Sequence, residues 1–303
     1  TSLRRFLSSE ELWPEGFDPG IRKPGQPAWP PAWSYHSTGM ATWDRVGPVH
    51  EYCDPATAGE LIRVIGTAHG EYLRDRVERE RRGVPDGDAV NGTGAANRRC
   101  WGNLVWRLND SWPMIYGSVV DYYLEPKIAY YFLRRAYEPV LVSFEKTPDR
   151  INVWVINDSP QPVSGTLVVQ RLDFNGKVLG KLQVDVAVKS GEARRCLNAT
   201  PLGEISLRSE FLHAALAGRE SICLLIGERY LHLPTARLAA RLADGRIEIE
   251  TDQFAREVAL EFEAVTGAVF EDNFFDLAPG RKRTIAVRKA AGGTALTVRA
   301  LNA

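Results

Sequence analysis

The spacing of apolar positions changes twice along this chain. Between Asp54 and Gly83, Leu61, Ile65, Ala68 and Tyr72 recur at three- and four-residue intervals. Arg76 extends the row, and Glu60, Arg63 and Arg74 mark a charged face. That period belongs to an amphipathic helix. Asp54 suits its N-cap, Pro55 its first position and Gly83 its stop. A second helix is predicted over "EPKIAYYFLRRAY", with Pro126 near its start. Between the helices, "VPDGDAVNGTGAANRR" reads as a flexible loop and "LVWRL" (104–108) as a short buried strand.

After Pro139 the period shortens to two. "VLVSFEK", "RINVWVIND", "GTLVVQRLD", "VLGKLQVDVAV" and "SICLLIGE" are short β-runs parted by turn signals such as Asp158-Ser159-Pro160 and Asn175-Gly176. An Asn-Gly pair between apolar runs predicts a hairpin, and strands this short predict an antiparallel sandwich. A boundary falls near "LHLPTARL", after which "RIEIETD", "EVALEFEA" and "KRTIAVRK" predict a second, smaller β-domain. Residues 1–53 are rich in Trp, Pro and Gly and cannot sustain long helices. They read as a long ordered loop region held by aromatic anchors.

Composition narrows the function classes. Among 303 residues, 38 basic side chains balance 38 acidic ones, so no long-range field favours nucleic acid or an anionic membrane. No apolar run approaches the roughly 20 residues of a membrane span, and no charged-then-apolar leader opens the chain. The first residue is Thr1 rather than Met, which makes an excised or processed piece the expectation. Cys53, Cys100, Cys196 and Cys223 lie far apart without CxxC spacing and read as buried free thiols. The histidines show no metal-ligand spacing, and no metal or cofactor is expected.

The most distinctive stretch packs Trp101, Trp106 and Trp112 around Asn109-Asp110. Val105–Arg135 resembles the end of the catalytic barrel of glycoside hydrolase family 2, and most of all its β-mannosidase and exo-β-glucosaminidase branch. That branch carries a pattern like W-x-L-N-D-x-W-P, then a serine, D-Y-Y and a K-x-x-Y-Y helix. The matching residues are Trp106, Leu108, Asn109, Asp110, Trp112, Pro113, Ser118, Asp121, Tyr122, Tyr123, Lys127, Tyr130 and Tyr131. "EPVLVSFEK" continues into an immunoglobulin-type domain like the branch's own, and "VFEDNFFDLAPGRKRTIAV" (Val269–Val287) resembles its C-terminal sandwich. "SLRRFLSSEELWP" resembles the stretch that follows the catalytic nucleophile.

The resemblance implies a fold of class α/β plus all-β. Residues 1–137 would be the C-terminal remnant of a (β/α)8 barrel, followed by two immunoglobulin-like β-sandwiches over 138–233 and 234–303. It implies a retaining exo-β-glycosidase that hydrolyses terminal β-mannosides or β-glucosaminides by double displacement between two glutamates roughly 5 Å apart. In the family both precede the stretch resembling Thr1–Pro14, the nucleophile in an S-E-[FY]-G-type segment that this chain lacks. Glu10 and Glu11 of "SSEELWP" read as surface positions. The chain is therefore expected to be inactive alone. Its expected partners are the N-terminal remainder of the same polypeptide and an oligosaccharide or glycoside substrate, with no nucleic acid and no membrane.

A sugar ring has an apolar C–H face, which indoles cover, and a polar hydroxyl edge, which short amides and carboxylates bind. On this reading Trp106 faces the sugar, and Asn109 and Asp110 supply polar contacts. Tyr35 and His36 lie with Trp33 and Trp43 in the loop after the nucleophile strand, His36 against a sugar hydroxyl. Plainer roles stand beside these: wall packing for Trp101 and Trp112, an Asx cap for Asn109-Asp110 and a loop-ordering hydrogen bond for His36. The alternative for the whole chain is a stand-alone carbohydrate-binding or scaffolding sandwich protein. Such a protein has no need of a barrel-closing strand and helix before its sandwiches.

Overall fold

A computed structural model describes residues 2–21, 29–37, 47–83, 102–115, 117–262, 268–288 and 295–303. Trp43, Cys100 and Trp101 lie outside the described residues.

The front region is built by helices. In α1 (Ser9–Leu12), the Ser8 hydroxyl accepts from the Glu11 N–H while the Glu11 carboxylate accepts from the Ser8 N–H, a reciprocal cap that gives Glu11 a purely local role. In α2 (Pro31–His36), Trp33 is fully buried and its indole N–H donates to the Leu12 carbonyl at 3.2 Å. The long helix α3 (Ala58–Arg82) packs Leu61, Val64 and Ala68 around that indole. Its N-cap is Thr57, which accepts from the Glu60 N–H at 3.2 Å. The predicted start at Asp54 is therefore displaced: Glu60 reaches back to the Ala56 N–H at 2.6 Å, and Asp54 pairs with Arg229 at 2.8 Å instead. The predicted stop at Gly83 holds, with φ 86°.

Helix α4 (Ile128–Ala136) lies against α3. The close approach depends on two glycines: a Cβ on Gly66 would sit 2.8 Å from the Ile128 side chain, and one on Gly70 2.6 Å from the Phe132 ring. Between the helices "LVWRL" forms no strand. Residues 102–108 are irregular, and the chain makes only a parallel bridge between Asn109 and Val120 and an antiparallel one between Val120 and Pro126. A barrel strand takes its hydrogen bonds from neighbours on both sides, and no strand lies beside it among the described residues of the front region.

The first sandwich comprises β1 (Val140–Lys146), β2 (Ile151–Asn157), β3 (Val163–Asp173), β4 (Val178–Val188), β5 (Glu192–Asn198), β6 (Glu210–Leu216) and β7 (Arg219–Cys223). Its sheets run β1-β2-β5 and β4-β3-β6-β7, with all pairings antiparallel. Val142, Val153 and Val155 of one sheet meet Leu167, Val169 and Leu212 of the other. The hairpin at Asn175-Gly176 joins β3 to β4, and Gly176 takes φ 88°, a left-handed value that favours glycine.

The second sandwich comprises β8 (Leu238–Ala243), β9 (Arg246–Thr251), β10 (Ala255–Phe262), β11 (Val269–Phe270), β12 (Phe275–Leu277), β13 (Lys282–Arg288) and β14 (Leu296–Arg299). The sheets are β12-β10-β14 and β11-β13-β9-β8. Alternation in β9 sends Ile247 and Ile249 into a core with Val258, Leu260 and Ile285. The two sandwiches join through Phe174, Phe211 and Phe254, whose ring centroids lie 4.7–5.9 Å apart. Such aromatic pairs contribute about 0.5–1.5 kcal/mol each beyond their burial. Of the three described cysteines only Cys223 is buried; Cys53 is exposed in the irregular stretch before α3, and Cys196 is half-buried on β5, an edge strand of its sheet.

Candidate functional site

The segment 104–110 presents one face outward. Leu104, Trp106 and Leu108 are 100%, 87% and 64% exposed, with half-buried Val105 and Arg107 between them. The peptide between Trp106 and Arg107 is cis. Asn109 is exposed, and its side-chain amide donates to the Asp110 carbonyl at 3.1 Å, a local turn bond.

Asp110 turns the other way and is 2% exposed. Its carboxylate accepts from the Ser118 hydroxyl at 2.5 Å and from the Lys127 ammonium at 2.6 Å, and Lys127 also donates to Ser118 at 2.7 Å. Burial lowers the pKa of Lys127, against the pull of the Asp110 charge. His69 of α3 lies behind Gly117; burial, aided by the Lys127 charge, holds it down to about 4, so it stays uncharged at neutral pH.

His36 sits between the ring of Phe6, 4.7 Å away, and the stacked indole of Trp112, at 5.5 Å. Its Nδ1 lies 2.9 Å from the Pro113 carbonyl. A carbonyl only accepts, so Nδ1 carries the hydrogen. The Ile115 N–H donates to the His36 carbonyl at 3.0 Å. Tyr35, 80% exposed, meets the His36 ring edge-on at 5.4 Å. The structure thus joins Tyr35 and His36 to the 112–115 turn and sets Trp106 and Asn109 on the outward face of the adjoining segment. Asp110 belongs to a buried ring beneath them. Its partners Ser118 and Lys127 escaped the sequence-based choice of site residues, although both stand in the motif from which the resemblance was read.

A second constellation lies where α3 meets the C-terminal sandwich. Arg256 of β10 donates to Glu71 at 2.8 Å, to Asp276 at 2.9 Å and to Glu228 at 3.2 Å. Arg63 of α3 donates to Glu228 and to Glu257, each at 3.0 Å, while Thr67 donates to Glu257 at 2.7 Å. The Tyr52 hydroxyl donates to Glu71. Burial opposes ionisation of Glu71, but Arg256 and Arg74 outweigh it and hold that carboxyl down to about 2. Glu257 goes the other way: burial, only partly offset by Arg63 and Arg256, pushes it up to about 7. Arg256 and Arg63 share their hydrogen bonds among four carboxylates, and Glu228 competes with Glu257 for Arg63. At the other end of α3, Glu78 accepts from Ser143 at 2.5 Å and Arg81 donates to Asp158 at 2.7 Å, both in the first sandwich. Among the described residues no cluster of His, Cys, Asp and Glu could hold a metal ion, and no helix is long and apolar enough to cross a membrane.

Residues 149–222 match the family described as a mannosidase Ig/CBM-like domain, and residues 233–303 match an Ig-fold domain of mannosidases. A β-mannosidase B of Thermothelomyces thermophilus is 26% identical over 69% of this chain and 28% of its own length. A β-D-mannosidase from Dictyoglomus thermophilum shares the fold with TM-score 0.81 at 21% identity, covering 99% of this chain and 36% of that one. The exo-chitosanase CsxA of Amycolatopsis orientalis follows at TM-score 0.68 and 18% identity, covering 99% and 40%. The chain thus spans under a third of the length of the curated relatives it matches. The tandem of matched domains, the curated relatives and the shared fold support the resemblance of this chain to the C-terminal portion of the β-mannosidase and exo-β-glucosaminidase branch of glycoside hydrolase family 2.

Proposed function

We propose that the chain serves a retaining exo-β-glycosidase acting on terminal β-mannosides or β-glucosaminides. Residues 1–137 are the closing part of its (β/α)8 barrel, and 138–233 and 234–303 are two sandwich domains docked behind it. The observation that carries this reading is the outward row Leu104, Trp106 and Leu108 beside Asn109. An exposed indole next to an exposed amide suits a sugar's apolar face and its hydroxyl edge, and here both stand in a motif resembling the end of a family 2 barrel. The relatives' names supply the substrate classes: β-mannosidase and exo-chitosanase.

In this reading the two reacting carboxylates belong to residues outside this chain. The first attacks the anomeric carbon to form a glycosyl-enzyme, and the second protonates the leaving oxygen and then activates water. This chain's part is to bind and orient the glycone: Trp106 under the ring and Asn109 at a hydroxyl, with His36 and Tyr35 ordering the neighbouring turn and lying within the same rim. The test compares the 303-residue chain with the full-length protein carrying it on aryl β-mannoside and aryl β-glucosaminide. Full-length protein should cleave one of them and release the sugar first as the β-anomer, while the chain alone should show no turnover. Robust turnover by the chain alone, or an inverted first product, would overturn the reading.

A further inference from the structure

Among the described residues little packs around Trp106 to hold it. The indole is 87% exposed, and so are its neighbours on the same face, Leu104 and Leu108, at 100% and 64%. A platform that must meet a ring at van der Waals distance therefore takes its aim from its backbone. Asn103, which donates to Glu80 at 2.7 Å, and Val105, packed beside Val77 and Val119, anchor its near end, and its far end is tied beside Asp110. Val119 and Val120 donate to the Leu108 carbonyl at 3.1 and 2.9 Å, Asp110 donates back to the Val120 carbonyl at 3.1 Å, and Lys127 donates to the Val119 carbonyl at 2.9 Å. The side chains of the same three segments close a ring of their own. Ser118 donates to Asp110 at 2.5 Å, Lys127 donates to Asp110 at 2.6 Å, and Lys127 donates to Ser118 at 2.7 Å. Each member meets the other two, and the Asp110 side chain is wholly shielded from solvent. Hydrogen bonds to charged groups in so dry a place are short and directional, so the ring defines an angle as well as a distance.

We propose that the Asp110–Ser118–Lys127 ring is the positioning device of the sugar-facing segment: it sets the direction of Trp106 and Asn109 without touching the substrate itself. This rests on the reading above, in which Trp106 faces the glycone. Leu108 and Asn109 connect the ring to the platform along the chain, so a change in the ring reaches the indole as a tilt of the segment's end. The charges facing the ring are those of Asp121 and Arg107, with the buried imidazole of His69 on the α3 side.

The experiment uses the full-length protein carrying this chain and separates orientation from stability. Ser118→Ala removes one hydroxyl and leaves the ion pair. It should lower kcat/KM on the cleaved aryl glycoside by about ten- to a hundredfold, with the loss mainly in kcat and little change in Tm. Lys127→Met should lower Tm as well, because it strands a buried carboxylate. Lys127→Met with Asp110→Leu should restore Tm and leave kcat low. Recovery of both by that double variant would reduce the ring to a packing element and overturn the proposal. A second readout needs no turnover: the acrylamide quenching of Trp106, taken as the difference between each protein and its Trp106→Phe counterpart, should change in Ser118→Ala. Unchanged Trp106 quenching would overturn the positioning role even in a protein that cleaves neither glycoside, whereas that lack of cleavage alone would count only against the glycosidase reading.

Discussion

Replacing Glu257 by glutamine should remove a pH dependence from the dock between α3 and the C-terminal sandwich. The residue is 4% exposed and lies in a β10 bulge where its own φ is 54°. One carboxylate oxygen takes the Thr67 hydroxyl and the other the Arg63 guanidinium. With Glu228 drawing on the same guanidinium, burial dominates and Glu257 is pushed up from 4.5 to about 7. The difference of about 2.5 pH units corresponds to roughly 3 kcal/mol as an upper figure, and about 1–3 kcal/mol once charge sharing is allowed for. The sign follows from which state holds the proton. Between pH 4.5 and 7 the docked form keeps it and the unfolded form has lost it, so this site's stabilisation is full below about 4.5 and is lost as pH rises through 7. The assay is denaturant unfolding of wild type and Glu257→Gln at pH 5, 6, 7 and 8. Carboxylates common to both proteins cancel in the difference. The glutamine variant should gain on wild type by about 1–3 kcal/mol between pH 5 and pH 8. Parallel curves, or a wild type that gains on the variant as pH rises, would mean that the Arg63 ion pair outweighs burial and would refute the reasoning.

Gly70→Ala should cost about 1–3 kcal/mol in denaturant unfolding, because its Cβ would meet the Phe132 ring. Gly59→Ala, in the first turn of the same helix and with only the Thr57 hydroxyl within reach of its Cβ, should stabilise by about 0.5–1 kcal/mol. In the full-length protein, Trp106→Ala should cost very roughly 1–3 kcal/mol of transition-state binding, part of it in kcat. Trp112→Phe should mainly lower Tm, since that indole stacks on His36. Kinetics and melting curves of the pair would expose an exchanged assignment if Trp106→Ala kept wild-type kcat/KM and Trp112→Phe lost it while folded.

The sandwiches were largely legible because their strands alternate or run apolar between turn signals: β2 and β9 show it, and Asn175-Gly176 forms the hairpin it announces. The strands that escaped notice lack that pattern. β5, "EARRCLN", carries little apolar character, β8 is mostly exposed, and β6 is interrupted by His213, a buried imidazole paired with Glu220 at 2.9 Å. At the start of α3 two capping signals compete, and Thr57-Glu60 prevails over Asp54-Pro55 because a reciprocal side chain is in reach. The motif around Trp106 pointed to a segment whose apolar side chains stand exposed. It could not reveal that Asp110 turns inward, because its partners lie eight and seventeen positions later along the chain. The charge cluster was invisible for the same reason on a larger scale: Glu71 and Arg256 meet across 185 positions and share no local pattern.

Helix α3 bears polar partners for both sandwiches at once, Arg63 and Glu71 for one and Glu78 and Arg81 for the other. Neither sandwich is therefore a free-standing module that could be exchanged between relatives as a bead on a string. Grafted onto another scaffold, the C-terminal sandwich would carry Arg256, Glu257 and Asp276 to a surface that offers them no matching helix. Exchange between family members should succeed only where the sandwich travels together with the face of α3 it was built against, making helix and sandwich a single unit of inheritance although nearly 150 residues of intervening chain separate Arg82 from Leu231.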